Sequence, residues 1–263
     1  MSSAYFVSDI HLTNAKDPNF AIFTRFLSRL LDLLSLPSTQ KSKDAPTHLF
    51  LVGDIFDLWI ADHRYFTREF QPLIHALREL HAKGVQIHYF EGNHDLHLRK
   101  YWQNELGFQV HSEAVYFDLG SRVVRVEHGD QMNPNDRGYL FLRWLLRTPV
   151  VRWLSHNLPA FVVKAIGERA SGVSREYTST RKELPRDQIH QITRQHAQLA
   201  YQQKSFDLII SGHVHVADDH AFEALASQRS ARSVNLGSWY DQPSAFILND
   251  EGGRFIELGS WST

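Results

Sequence analysis

The sequence predicts an α/β protein built on a parallel sheet. Two observations carry that prediction. The first 110 residues read strand, helix, strand, helix, strand, and each apolar strand segment runs out into a cluster of Asp, Asn or His. Parallel strands joined by right-handed helical crossovers place their C-terminal ends on one edge, the edge at which open α/β sheets bind ligands. A third observation permits the fold: 263 residues, 43% of them hydrophobic and 22% charged, can bury a sizeable single core.

Taken in order, "AYFVSDIHL" is a short buried strand that breaks into polar residues. Phe20 to Leu36 follows a helical pattern, with Phe23, Phe26, Leu27, Leu30, Leu31 and Leu34 on one face. Pro37 to Pro46 is a polar connector, and "THLFLVGD" is a second strand. Phe66 to Lys83 reads as one amphipathic helix stopped by Gly84, before the third strand, "VQIHYFEGNHD". "EAVYFDLGSRVVRVEHGD" is a hairpin turning at Gly120. Asn135 to Lys204 reads helical with interruptions at Pro149, Pro159 and Pro185, and is taken as an insertion within a single domain spanning 1–263. Strands return in "FDLIISGHVH", "HAFEAL", "ARSVNLGSW", "SAFILND" and "RFIELG".

The chain has no cysteine, which excludes disulfides, thiolate metal sites and a cysteine nucleophile. Its N-terminus lacks the pattern of a signal peptide, and no run approaches the roughly 18 to 20 apolar residues of a membrane span. The expected location is therefore cytoplasmic. The net charge of −1 hides an asymmetry: Arg137 to Arg186 holds ten Arg/Lys against three Glu. Such a segment suits an anionic partner, and nothing in the chain points to nucleic acid.

Five strand ends finish in metal-capable residues: Asp9/His11, Asp54, Asn93/His94, His128 and His213/His215. Residues i and i+2 of a strand share a face, so Asp9 with His11, and His213 with His215, are each expected to point at one ion if the extended conformation persists. Carboxylate, amide oxygen and imidazole together suit borderline divalent ions such as Mn²⁺, Fe²⁺ or Zn²⁺. Each pair alone reads equally well as a turn or a cap. Their occurrence once each, in order, at successive strand ends points to one shared site.

In these blocks, "SDIHL", "GDIFD", "GNHDL", "HGD" and "SGHVH", the chain resembles the calcineurin-like metallophosphoesterase superfamily. The resemblance spans nearly the whole sequence. It implies a four-layer α-β-β-α metallophosphoesterase sandwich with a helical cap insertion at 135–204. It implies two divalent cations, one held by Asp9, His11, Asp54 and His215, the other by Asp54, Asn93, His128 and His213, with Asp54 bridging. Two cations roughly 3.5–4 Å apart clamp phosphate oxygens and acidify a water for in-line attack. By the same resemblance, His94 faces the phosphoryl oxygens or protonates the leaving group. Asn93 and His94 are thus the expected catalytic pair, and Asp95 is read as a capping or His-orienting residue.

"GDIFDLWIADH", "HGDQMNPNDRGY" and the basic insertion are similar to the UDP-2,3-diacylglucosamine hydrolase branch of that superfamily. That resemblance implies cleavage of a UDP-linked acylated sugar in lipid A biosynthesis. It places Asp136, Tyr139, Ser174, Thr178 and Arg181 near the substrate, with Arg175 and Lys182 as neighbouring cations. The stretch from Pro149 to Ala170 mixes Val, Leu, Trp and Phe with Arg152, Lys164 and Arg169, a composition that can line an acyl pocket or rest on an anionic membrane. Its simplest role is a helical pair packed on the body. The third block departs from that branch, carrying His94 where the branch has arginine. The alternative is a related enzyme acting on another nucleotide pyrophosphate or phosphodiester. A binding module that has lost its chemistry is disfavoured because every ligand position is filled.

Overall fold

The computed structural model describes residues 3–37, 42–163, 165–166, 185–223 and 230–259. The first half of the chain runs β1 (Ser3–Val7), α1 (Pro18–Ser35), β2 (Pro46–Val52), β3 (Trp59–Ile60), α2 (Arg64–Glu69), α3 (Gln71–Ala82), β4 (Gln86–Phe90), β5 (Asp95–Leu96), a π-helical turn (Arg99–Glu105) and β6 (Gln109–His111). It continues β7 (Val115–Leu119), β8 (Arg122–Val126), α4 (Arg137–Leu146), α5 (Pro149–Asn157) and α6 (Arg186–Gln203). The last strands are β9 (Leu208–Ser211), β10 (Asp218–Glu223), β11 (Ser230–Asn235), β12 (Ser244–Asn249) and β13 (Gly252–Glu257).

One sheet has the order β13-β12-β1-β2-β4-β6, with β1, β2, β4 and β6 parallel and β12 and β13 antiparallel at one edge. The other has the order β10-β11-β9-β8-β7, parallel through β11, β9 and β8. Period-2 alternation divides the core into layers. Phe6, Phe50, Val52 and Phe90 face Val124, Val126, Ile210 and Val234 between the sheets. Tyr5, Val7, Leu49, Leu51 and Tyr89 point the other way, onto Phe23, Phe26, Leu30, Leu73 and Leu77 of α1 and α3. Ala197 and Ala200 of α6 pack on Ile209 and Phe222 across the outer face of the second sheet. The result is a four-layer α-β-β-α sandwich.

Helix α1 begins earlier than its apolar pattern, because Pro18 occupies the first turn and Asp17 caps it by accepting from the Asn19 N–H at 2.9 Å. The single helix expected over 66–83 is two. Pro72 has no N–H to continue the ladder from α2, and Phe70, at φ −105°, ends one helix and begins the next. In the 135–204 segment, α6 joins the outer layer, whereas α4 and α5 stand over the strand ends.

Candidate metal centre

The strands stop before the residues expected to be ligands. β1 ends at Val7 and β9 at Ser211, and the loops beyond turn sharply. Asp9, His11, Asp54, His213 and His215 all have positive φ, between 51° and 72°. They are five of the seven non-glycine residues in that region among the described residues. Each such conformation costs on the order of 1 kcal/mol and persists only where surrounding contacts impose it. The extended-strand expectation is thereby corrected. Asp9 and His11 converge because both backbones are left-handed, not because they alternate on a strand. His213 and His215 fall in different candidate groups: His215 with Asp9 and His11, and His213 with Asp54 and His128.

Backbone donors fix the carboxylates. Asp54 Oδ1 accepts from the N–H groups of Asn93 and His94, both at 2.9 Å. Asp9 Oδ2 accepts from the His213 N–H at 2.9 Å and from Ser8 Oγ. Asn93 Oδ1 lies 3.3 Å from His128 Nε2 and 3.2 Å from His213 Nδ1. His128 donates from Nδ1 to Val52 O at 2.9 Å, which turns Nε2 toward Asp54 Oδ2, 3.5 Å away. Glycine is required where loops touch. A Cβ on Gly92 would sit 2.1 Å from Asp54 Oδ1, and one on Gly53 2.3 Å from His128 Nδ1.

Asp95 is not a ligand but a staple. Its Oδ1 accepts from the N–H groups of Asp54 and Gly92, and its Oδ2 from the Ile55 N–H and Tyr89 Oη, at 2.7–3.1 Å. Burial and then the charge of Asp54 push its pKa up to about 6. Asp57, inside the "GDIFD" block, carries no role in the expected ligand set. Its carboxylate lies within 4.8 Å of ligand atoms of His11 and His94, and its carbonyl accepts from His94 Nδ1 at 2.9 Å. Tyr240, which no motif marks, stacks on His11 with centroids 5.3 Å apart.

Burial pushes the His11 and His213 imidazoles down to about 4, leaving them neutral and able to donate a lone pair. Burial also opposes charge on Asp9 and Asp54, but neighbouring histidines, His215 and His128 respectively, hold both carboxyls below their usual range. His128 is pushed up to about 10 because the Asp54 carboxylate outweighs burial. A divalent cation would replace that proton. The residues fit such ions on two counts. The donor set combines imidazole nitrogen with carboxylate and amide oxygen, and the fully buried Asp9 Oδ1 is faced by His215 Nε2 at 3.2 Å and His11 Nε2 at 3.9 Å. In addition, the Nε2 atoms of His11 and His215 face each other at 3.1 Å, as two ligands of one ion would.

The order and type of these blocks find a match along the chain: residues 3–217 fit the family model for calcineurin-like phosphoesterases. The chain belongs to that family. Calcineurin-like phosphoesterases are metal-dependent hydrolases, and this chain is therefore an enzyme of that kind. It is similar to a protein named UDP-2,3-diacylglucosamine hydrolase from Vibrio atlanticus (strain LGP32), 27% identical over 248 residues and covering 94% of this chain and 93% of that one. Proteins of the same name from Aeromonas salmonicida (strain A449) and Escherichia coli O6:H1 are each 29% identical, covering 94% and 96% of this chain and 90% and 98% of theirs.

The residues expected near the substrate fare unequally. Tyr139 lies beside His213, with ring centroids 5.7 Å apart, and donates from Oη to Asp130 at 3.1 Å. Asp136 is the N-cap of α4, accepting from the Tyr139 N–H at 3.1 Å. Ser174, Arg175, Thr178, Arg181 and Lys182 lie outside the described residues. No helix among the described residues is long and apolar enough to cross a membrane.

Proposed function

We propose that the enzyme hydrolyses the diphosphate of UDP-2,3-diacylglucosamine, adding water across the bond to release UMP and 2,3-diacylglucosamine 1-phosphate. The observation that carries this reading is a cavity of about 480 Å³ that opens on Asn93 and His94 and continues under α4 and α5. Leu58, Ile60, Leu142, Leu146, Leu154 and Val163 make its walls apolar. A diphosphate at the centre with acyl chains in the cavity places one charged and one greasy part of a single substrate where each is favourable.

Two divalent cations, with Mn²⁺ favoured over Fe²⁺ or Zn²⁺, would be held by Asp9, His11, Asp54 and His215 and by Asp54, Asn93, His128 and His213. When bound, they supply charge neutralisation and an acidified water. The chain's own side chains do the rest. Asn93 holds its amide oxygen between two imidazoles. His94, oriented by the Asp57 carbonyl, presents Nε2 to the leaving oxygen and delivers a proton there. Tyr139, on a wall of the cavity, is the sugar contact, and Asp136 supports it by capping its helix.

The same cap gives the protein a surface for anionic membrane at the cytoplasmic face of the inner membrane. Phe141, Trp144, Trp153 and Phe161 are 62–74% exposed within the basic segment. Co-sedimentation with phosphatidylglycerol vesicles, lost in Trp153→Glu, tests the surface.

The substrate reading is tested by UMP release with Mn²⁺ from UDP-2,3-diacylglucosamine and from UDP-N-acetylglucosamine. Burial of acyl methylenes predicts a preference of at least about 100-fold in kcat/KM for the acylated compound. Equal turnover of the two would overturn the lipid assignment, and preference for cyclic nucleotides would favour a phosphodiesterase.

A further inference from the structure

Arg143 and Arg147 lie four residues apart at the C-terminal end of α4, and both line the cavity. Their partners differ. Arg143 Nε donates to Asp130 Oδ2 at 2.8 Å, and its Nη2 reaches Ser112 O at 3.1 Å and Glu113 Oε1 at 3.2 Å. Two carboxylates therefore balance it. Arg147 Nη2 donates only to carbonyls, those of Gly92 at 3.2 Å and Glu91 at 3.4 Å. Its ion-pair partner, Asp130 Oδ2, is 3.8 Å from Nη1 and already engaged by Arg143 and Tyr139. Its Nε is fully buried without a hydrogen-bond partner, and the side chain as a whole is 12% exposed.

A guanidinium held that deeply on neutral carbonyls, with its one carboxylate 3.8 Å away and shared with Arg143, carries charge that the protein only partly compensates, an arrangement that favours an incoming anion. Its location narrows the anion. The carbonyls that hold Arg147 belong to the two residues before Asn93, so the cation sits against the loop carrying Asn93 and His94. A single phosphate at the centre would be neutralised by the two cations held there. A second phosphate joined to the first, on the cavity side, meets a planar arginine whose donor geometry suits phosphate oxygens.

We propose that Arg147 binds the second phosphate of a diphosphate ester and so selects diphosphates over single-phosphate esters. The proposal rests on the diphosphate reading above, but not on the acyl chains. Its test is calorimetric binding of UDP and UMP to the Mn²⁺-loaded protein, with Mn²⁺ in excess of nucleotide. A charge-assisted contact predicts that UDP binds the wild type about 10- to 100-fold more tightly than UMP.

In Arg147→Gln, which retains donors for the Gly92 carbonyl but not the charge, the ratio of the two Kd values falls to within about threefold of unity. Arg147→Lys retains more of the ratio than Arg147→Gln does. A purely structural role would weaken both nucleotides together and leave the ratio intact. A wild type without UDP preference, or an Arg147→Gln protein with the wild-type ratio, would overturn the proposal. A wild type that prefers UDP yet does not cleave UDP-2,3-diacylglucosamine would instead overturn the substrate and leave the role of Arg147 standing.

Discussion

At the strand ends, Asp9, Asp54 and His128 are each tied to the backbone of a neighbouring loop or strand, whereas α4 and α5 reach the body mainly through side chains. The first arrangement is short and buried, and left-handed residues are held in place by their neighbours. The second relies on Arg143 to Asp130, His156 to Asp62 at 2.7 Å, and His63 to the Ser155 carbonyl at 2.6 Å. Helix α4 has no buried residue. Backbone-anchored groups are pre-organised for charge stabilisation, while a cap latched by side chains can adapt to a bulky ligand. The contrast predicts that damage to the loops abolishes chemistry and metal binding, and that damage to the cap alters substrate handling alone.

The largest effect is expected at Asp54, which groups with His128 and His213 and is the proposed bridge to the other ion. Asp54→Ala should lower turnover by on the order of 10³-fold or more, since it removes a proposed ligand and the acceptor of two backbone N–H groups. Metal analysis after Mn²⁺ reconstitution should fall with it, and chelation of the wild type should have the same consequence. Normal metal content with normal turnover would remove Asp54 from the centre.

The next effect belongs to the sheet itself, apart from both regions. His48, His88 and His111 stack across β2, β4 and β6, with His88 Nδ1 3.3 Å from His111 Nε2. Burial pushes His88 down to about 3 and His111 to about 4. The folded state thus resists protons that the unfolded chain accepts near pH 6.5. Stability is full above that pH and declines as pH falls toward the folded values. By pH 5, His88 should contribute a loss of about 2 kcal/mol, with a smaller share from the partly solvated His111. Denaturant melts at pH 7 and pH 5 measure the difference, which should shrink in His88→Phe. A pH-independent midpoint would contradict the burial of the stack.

Third comes Asp95, which touches no candidate ion site but staples the loops of Asp54 and Gly92. Asp95→Asn turns an amide N–H toward existing donors and should weaken Mn²⁺ binding by about 10- to 100-fold without removing a ligand. Titration of the apoprotein with Mn²⁺ is the measurement. Unchanged affinity would mean that the loops hold their shape without it.

The loops were legible in the sequence because each is a short contiguous block whose residue types have few other uses in combination. Their local geometry was not. Period-2 alternation paired His213 with His215, whereas tertiary contacts bend both residues to positive φ and send them to different groups. The four layers came from the family resemblance of those blocks, whereas the strand and helix pattern alone pointed only to a parallel sheet. The break between α2 and α3 falls at Pro72, a residue that the apolar pattern over 66–83 does not register. The cap contacts and the histidine stack had no signal, because Arg147 with Gly92, His63 with Ser155 and His88 with His111 are brought together only by topology and register.

The smallest effect sharpens the contrast most. Asp62 holds His156 of α5 and Lys100 of the body at once, at 2.7 and 2.6 Å. Burial would raise its pKa, but Lys100 and His156 carry it below the usual carboxylate range. The pair with Lys100 is largely solvated, so Asp62→Asn should cost no more than about 1 kcal/mol. If that energy goes into holding α5 over the cavity, it should appear as a rise of up to about fivefold in KM for the acylated substrate. High salt should reduce the difference between variant and wild type. Mn²⁺ content and turnover of bis(p-nitrophenyl) phosphate, which needs no cap, should stay at wild-type values. A fall in metal content instead would mean that cap and centre form one cooperative unit, and the division between the two regions would fail.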